Sequence, residues 1–593
     1  MNEPNDEIDY PNSTRTRPGL LLDPRRGDLE DDRAATSRRS LLSIAGSLLV
    51  EISPSKLLVA CSLLILLPAL LLGLAPILLS AWIGKIKGHL MEATGFGLLL
   101  VIIVAIVISW LGWRPLFRIA EQNFWSLNGL AVQPGYAFWR EAMRHLIERA
   151  LKSNTGKKLA RVRAASCLVS GLLLVALGTM VAIAAWPHTR WIGVVTDMMQ
   201  PRTLVAPTLA NTIFIMSSYL VAASLVWSLA DAAGGQPLDI EAFDAPSPDT
   251  RAWRIAHLSD VHIVGERYGF RIESGRSGPA GNGRLVRAMR QLATVHADNP
   301  LDYVLVTGDM TDAGTSAEWS EFLEIMAGFP ELAGRMLILP GNHDVNIIDR
   351  GNPARLNLPF SPAKTLRKMR VISAMKALQG DRMRLVTTSR VGAAPTLADF
   401  LDPSVQMIEE FADAGGLRRS VLLSRVWDQV FPLILPPPEG HGVGFALLDS
   451  NADANFSFTN ALGMISVDQA RRLTAAFDAH PGACWVLAMH HHIVEYPRPA
   501  ASFSDRIATA LINGSWFLRV LRPYAHRLIV MHGHRHIDWI GTCGALKIVS
   551  APSPVMGRNE EPPHFYVHEI AAGKGGAIRL LAPQLIEVDA STA

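Results

Sequence analysis

A chain of 593 residues exceeds what one hydrophobic core ordinarily serves, so at least two domains are expected. The 56 Lys and Arg nearly balance the 53 Asp and Glu, which argues against a general nucleic-acid-binding surface and against a nucleic-acid polymer as partner. Four cysteines are too few for a disulfide framework. With Cys61 and Cys167 inside apolar runs, that usage fits a reducing compartment.

Residues 1–56 form a basic tail whose first 40 positions are rich in Arg, Asp, Pro and Ser, a composition that predicts disorder. The stretch SRRSLLSIAG (Ser37 to Gly46) resembles a twin-arginine export signal only faintly, because Glu51 and Lys56 interrupt the apolar region such a signal needs.

From 57 to 230 the sequence predicts an all-α membrane region. Four stretches are each long and apolar enough to cross a bilayer, roughly Leu57–Ile83, Phe96–Trp113, Ala165–Trp186 and Thr208–Ala230, where about 20 residues suffice. None contains a charged residue. Trp82, Trp110, Trp113, Trp186 and Trp227 sit at or near their ends, as interfacial anchors do. Lys and Arg number eight in the tail and ten in the loop 114–163, against two in each of the loops 84–95 and 187–207. The positive-inside bias therefore predicts a multi-pass inner or plasma membrane protein, with everything after Asp231 in the cytoplasm. Within the basic loop, FWREAMRHLIERALK (Phe138 to Lys152) predicts an amphipathic helix. Either packing on the soluble part or lying on the anionic inner leaflet would suit it.

Residues 231–250 are rich in Gly, Pro and Asp and read as a linker. From 251 to 593 short β-rich runs alternate with helical periods, which predicts an α/β domain. Five of its strands end on metal-ligating residue types. WRIAHLSDVHIV delivers Asp260 and His262, and LDYVLVTGDMTDAG delivers Asp309. RMLILPGNHDV delivers Asn342, His343 and Asp344, CWVLAMHHHIV delivers His490, and RLIVMHGHRH delivers His532, His534 and His536. Alternate residues of extended chain point the same way, and neutral imidazole is the commonest metal ligand. Together the five strand ends supply enough oxygen and nitrogen for two ions, and a carboxylate in the middle of the set could bridge them.

This ordered series, D-x-H, G-D, G-N-H-D, H and G-H-x-H, resembles that of the calcineurin-like metallophosphoesterases. The resemblance covers roughly residues 251–575 and implies a two-sheet αββα sandwich with metals at the strand ends. By that resemblance Asp260, His262 and His536 hold one metal, while Asn342, His490 and His534 hold a second, with Asp309 bridging. His343 protonates the leaving group, Asp344 orients it, and His532 either supports the ligands from behind or is structural. The fourth motif lacks the prolines of many relatives, so His491 stands as an alternative to His490. Oxygen and imidazole donors suit two divalent ions, Mn, Fe or Zn. GDMTDAG and PGNHD resemble the phosphodiesterase and nucleotidase branch more than the protein phosphatases.

Residues 345–440 interrupt the pattern with helical periodicity and basic residues, either a solvated decoration or a cap over the site. The sequence thus predicts a membrane-anchored enzyme that splits a phosphodiester or pyrophosphate bond by metal-activated hydroxide attack. Its substrate would be a nucleotide or phospholipid-like phosphate ester, and the lipid bilayer its partner. The alternative is a catalytically silent membrane scaffold that retains the fold.

Overall fold

The computed structural model describes residues 66–92, 133–151, 156–247, 251–265, 280–348, 355–357, 361–386, 394–437, 442–454, 457–498, 511–556, 562–573 and 576–588, with a few isolated positions besides. The chain divides into two compact units, one of Ser53–Gly234 with Arg498–Phe503, the other of Met1–Ile52, Gly235–Pro497 and Ser504–Ala593.

The first unit is helical: α1 (Leu67–Glu92), α2 (Gln133–Leu151), α3 (Gly156–Ala185) and α4 (Pro201–Ala232). Three of these are long and apolar enough to cross a membrane, over Ala69–Ile86, Ala160–His188 and Pro201–Ala232. The predicted span Phe96–Trp113 falls almost wholly outside the described residues.

Small residues let the long helices approach. A Cβ on Gly171 of α3 would come within 2.2 Å of Ser228 on α4, and one on Gly73 of α1 within 2.0 Å of the Thr208 carbonyl oxygen. Asn211, fully buried, donates from Nδ2 to the carbonyls of Gly73 and Arg190 at 3.1 and 2.7 Å. Close backbone contact and shared polar groups hold helices together where lipid supplies no hydrophobic drive.

The second unit is built from fourteen described strands in two sheets. In chain order they are β1 (Pro237–Asp239), β2 (Ala252–Leu258), β3 (Tyr303–Val306), β4 (Met336–Ile338), β5 (Arg384–Leu385), β6 (Leu433–Leu435), β7 (Gly442–Leu447), β8 (Ala483–Ala488), β9 (Leu528–His532), β10 (Trp539–Cys543), β11 (Leu546–Ser550), β12 (His564–Ala572), β13 (Ile578–Leu580) and β14 (Gln584–Glu587). One sheet runs β1-β10-β11-β9-β8-β7-β6-β5, and the other β13-β12-β2-β3-β4 with β14 on β12. Strands β2, β3 and β4 are parallel to one another, as are β7, β8 and β9. Both parallel sets are almost wholly buried, which explains their unbroken apolar runs. Between the sheets Tyr303 of β3 meets Phe445 of β7, with ring centroids 4.6 Å apart.

Within the interruption at 345–440, part of the described chain joins the core. Its helix α5 (Pro362–Gln379) buries Leu366, Met369, Ile372 and Met375, and its strands β5 and β6 complete the edge of the larger sheet. Gln379 bonds the backbone of Ile338 through both amide groups, at 2.7 and 2.9 Å. It thereby satisfies an edge strand that would otherwise expose its backbone.

Candidate dinuclear metal centre

The parallel strands set the site. Asp260 and His262 follow β2, Asp309 follows β3, Asn342 and His343 follow β4, His490 follows β8, and His534 and His536 follow β9. Carboxyl ends of parallel strands gather loops at one edge of a sheet, and here two sheets present theirs together.

Five non-glycine residues among those described have left-handed backbone: Asp260 (φ 57°), His262 (42°), Asp309 (54°), His534 (74°) and His536 (50°). All five belong to the predicted ligand set. Such conformations cost on the order of 1–3 kcal/mol each and persist only where the surroundings over-determine them. Here the surroundings include close backbone approach. A Cβ on Gly341 would lie 2.1 Å from both the nitrogen and Oδ1 of Asp309, and one on Gly533 1.8 Å from Ser259 Oγ.

Three clusters of ligand atoms form: Asp260 with His262 and His536, Asp309 with His490 and His534, and His262 with Asp309 and His343. In the first, Nε2 of His262 and Nε2 of His536 face each other at 3.3 Å, with Asp260 Oδ1 3.3 Å from the latter. In the second, Nε2 of His490 lies 3.1 Å from His534 Nδ1, 3.1 Å from Asn342 Oδ1 and 3.3 Å from Asp309 Oδ2. That same Oδ2 is 3.7 Å from His262 Nε2, so one oxygen stands between the two groups.

Tautomers decide what these groups want. His490 Nδ1 is 2.8 Å from the Thr307 carbonyl, a contact only an N–H can make, so once His490 gives up its second proton the lone pair stands on Nε2. Nδ1 of His262 lies 3.3 Å from Asp312 Oδ1, near enough for the carboxylate to favour a proton there but without hydrogen-bond geometry. With these histidines neutral, lone pairs point at lone pairs across both clusters, an arrangement that a cation satisfies and that nitrogen and oxygen donors of this kind suit. The residues present fit two divalent ions.

The electrostatics agree. Burial alone would raise the Asp309 carboxyl, but His490 and His343 bring it down to about 2. Burial would lower His490, yet Asp309 pushes it up to about 9. A group that holds a proton this way yields it to a metal, which ties occupancy to pH.

His491 is not in either cluster. Its Nδ1 is 2.9 Å from Ser450 Oγ, so His490 fills the place left open between them. His532 is buried, with Nδ1 only 3.4 Å from the Gly533 carbonyl, and lies outside all three clusters.

His343 stands at the mouth, its ring 4.5 Å from that of His262. Its backbone N–H donates to Asp309 Oδ1 at 2.8 Å and its Nδ1 lies 2.6 Å from the Asp312 carbonyl. Asp344 takes a different position from the one expected. Its carboxylate accepts from the N–H groups of Gly341, Thr311 and Met310 and from the Thr311 hydroxyl, so it fastens the loop beneath the ring. Burial first and then Asp309 push its carboxyl up to about 7. Asp312 is the residue that sequence reasoning missed. It lies in the same GDMTDAG stretch as Asp309, three residues on, where only the backbone turn shows that it meets two histidines.

A two-sheet α/β unit with imidazole and carboxylate donors converging at strand ends is a dinuclear metal-site scaffold. Residues 254–538 match the calcineurin-like phosphoesterase family, and this part of the chain is a calcineurin-like phosphoesterase domain. A probable cyclic nucleotide phosphodiesterase of Coxiella burnetii is 30% identical over 110 residues, which is 18% of this chain and 38% of that protein. Similar solved structures include a putative 5'-nucleotidase of Staphylococcus aureus (11% identity, 58% of this chain and 55% of that one, TM-score 0.30). Another is the NAD nucleotidase of Haemophilus influenzae (10% identity, 57% of each chain, TM-score 0.26). A purple acid phosphatase from yellow lupin matches at 10% identity over 58% of this chain and 56% of its own, with TM-score 0.26. The chain thus spans well under two thirds of the length of these relatives.

Proposed function

We propose that the chain is a multi-pass membrane protein whose phosphoesterase unit, on the cytoplasmic side, hydrolyses a phosphodiester or pyrophosphate bond. The observation that carries this reading is the pair of acceptor-only clusters joined at Asp309 Oδ2. Asp260, His262 and His536 would hold one ion, Asn342, His490 and His534 the other, with Asp309 shared.

Bound there, two divalent ions would neutralise phosphoryl charge and make water acidic enough to supply a nucleophile at neutral pH. The chain's own residues do the rest. With Nδ1–H committed to the Asp312 carbonyl, His343 keeps Nε2 for the substrate, where its protonated form can give a proton to the departing oxygen. The Asp312 carboxylate, 3.3 Å from His262 Nδ1, favours the form of His262 whose Nε2 is free to face the site. Asp344 keeps the loop of Asn342 and His343 in place through its four accepted bonds.

A phosphodiester is favoured over a phosphomonoester by the similarity to the Coxiella phosphodiesterase. The apolar helices favour a lipid-like phosphodiester over a free nucleotide only slightly. The full chain, purified in detergent and supplied with Mn, is assayed against monoesters, diesters and pyrophosphates. Turnover of a diester or pyrophosphate is expected. Metal-loaded protein that turns over none of them would leave the silent scaffold as the reading.

A further inference from the structure

The helix α2 is folded inside out for a helix in water. Its charged residues from Arg140 to Glu148 face inward, and only Arg149 at its end is exposed. Arg140 and Glu141 are 8% and 1% exposed, whereas Phe138, Trp139 and Leu146 are 47%, 43% and 58% exposed. At 100° per residue, positions 139 and 146 share one face and 140, 144 and 148 lie on the opposite one.

The inward face is an ion-pair network within the helical unit. Arg140 bonds Asp231 of α4 at 2.7 Å, and Tyr136 donates to the same carboxylate at 3.2 Å. Glu141 receives both Arg140 and Arg144 at 2.7 and 2.8 Å, and Glu148 pairs with Arg163 of α3 at 3.0 Å. Burying such groups while exposing aromatics is unfavourable against water. It is favourable where the surrounding medium is apolar, because charges in a bilayer turn toward the bundle and pair with one another.

Depth can be read along α3. Ser170 donates to the Trp139 carbonyl at 3.3 Å, Arg144 reaches Cys167 at 3.2 Å, and Arg163 holds Glu148. With a rise of 1.5 Å per residue these levels lie about 22, 27 and 33 Å from Ala185, the far end of α3. A hydrocarbon layer is about 30 Å thick. Trp139 thus falls inside the apolar layer and Glu148–Arg163 at its edge. The outward face continues the apolar surface of α3, where Leu172 is 61% exposed and Leu173 49%.

We propose that α2 is a membrane-embedded element beside the three described spans, lying obliquely in the bilayer with Trp139 and Leu146 against acyl chains and its paired charges latched to α3 and α4. This rests on the reading that α3 and α4 cross a membrane. It differs from both sequence-based expectations, since α2 neither packs on a soluble domain nor presents its basic residues to lipid headgroups.

The full chain in vesicles of phosphatidylcholine and phosphatidylglycerol, with acyl chains brominated or not, tests it. Subtracting the emission of Trp139→Phe from that of the parent isolates Trp139, and Leu146→Trp adds a second reporter in case the first variant fails to fold. Brominated lipid is expected to quench most of both components, while acrylamide in the water leaves them nearly unchanged. Quenching by acrylamide instead, or by neither agent because another protein segment covers the face, overturns the proposal. Trp186 and Trp227 report separately. If the remaining emission is also untouched by brominated lipid, the membrane reading itself has failed rather than the placement of α2.

Discussion

Nδ1 of His343 lies 2.6 Å from the carbonyl oxygen of Asp312, and the carboxylate of the same Asp312 lies 3.3 Å from Nδ1 of His262. One residue therefore meets the candidate acid through its backbone carbonyl and sets a carboxylate beside a candidate ligand through its side chain. The two roles can be separated by mutation.

Asp312→Asn keeps the carbonyl and removes the carboxylate charge. Loss of such a partner behind a metal-bound imidazole typically costs about 10–100-fold in metal affinity. The expected variant binds Mn more weakly by that order, yet at saturating Mn shows the parent's dependence on leaving group. Unchanged Mn affinity by calorimetry would mean that His262 does not need this partner.

His343→Ala should keep both ions and slow the reaction by about 10²–10⁴-fold, the usual contribution of a positioned general acid. An alkoxide leaving group should suffer the full loss and p-nitrophenolate less, since the latter departs without a proton. If metal content falls as it does in His534→Ala, His343 is a ligand and the assignment is wrong.

Gly341→Ala places a methyl group 2.1 Å from the nitrogen and Oδ1 of Asp309. Neither atom sits on a flexible side-chain end, so the strand-end loops must part, at a cost typical of overpacking, about 1–3 kcal/mol. The variant should fold at a lower melting temperature and lose metal. Normal occupancy would show that the two loops can separate without disturbing the shared carboxylate.

His568 supplies a pH test away from the metals. It is fully buried on β12, and both ring nitrogens lack a hydrogen-bond partner among the described residues. Burial holds it down to about 4, with Asp538 opposing. The folded protein thus binds the proton less readily than the unfolded chain, whose His titrates near 6.5. The stability it contributes is full above that value and is lost as pH falls from 6.5 toward 4, roughly 3 kcal/mol across the window. His568→Phe should flatten that part of the pH–stability curve, measured by calorimetry on the metal-loaded chain. A slope identical to the parent's would place the acid sensitivity elsewhere.

Much of the site was legible because its chemistry is local. Asp260, His262, Asp309, Asn342, His490, His534 and His536 each follow a short apolar run that can only be a buried strand, and the structure brings all seven together. Asp344 and Asp312 were not separable in the same way. Asp344 adjoins His343 in sequence whereas Asp312 lies 31 residues away, and only the fold shows that Asp312 is the one that meets the ring. In the segment 345–440 the buried basic residues were illegible for a different reason. Lys364, Arg367 and Arg370 look like a solvated face, but they are buried and bond carbonyls of Ala454, Val345 and Gly314. Basic residues that serve backbone carbonyls carry no period that marks them as core.

Membrane orientation rests on loop charge alone. A reporter fused after Asp231 should behave as cytoplasmic, and one near Lys87 as external. The opposite result would reverse the positive-inside argument and put the phosphoesterase unit outside.

The central claim is that Asp309 joins two ions in one catalytic centre, and its most direct measurement is metal stoichiometry with diester turnover in Asp309→Asn. Asparagine keeps the size and removes the charge that both clusters share at Oδ2. The parent is expected to bind two Mn per chain and cleave a phosphodiester. The variant should hold fewer ions, retain its fold by circular dichroism, and lose hydrolysis. Two ions and near-normal turnover in Asp309→Asn would contradict the account.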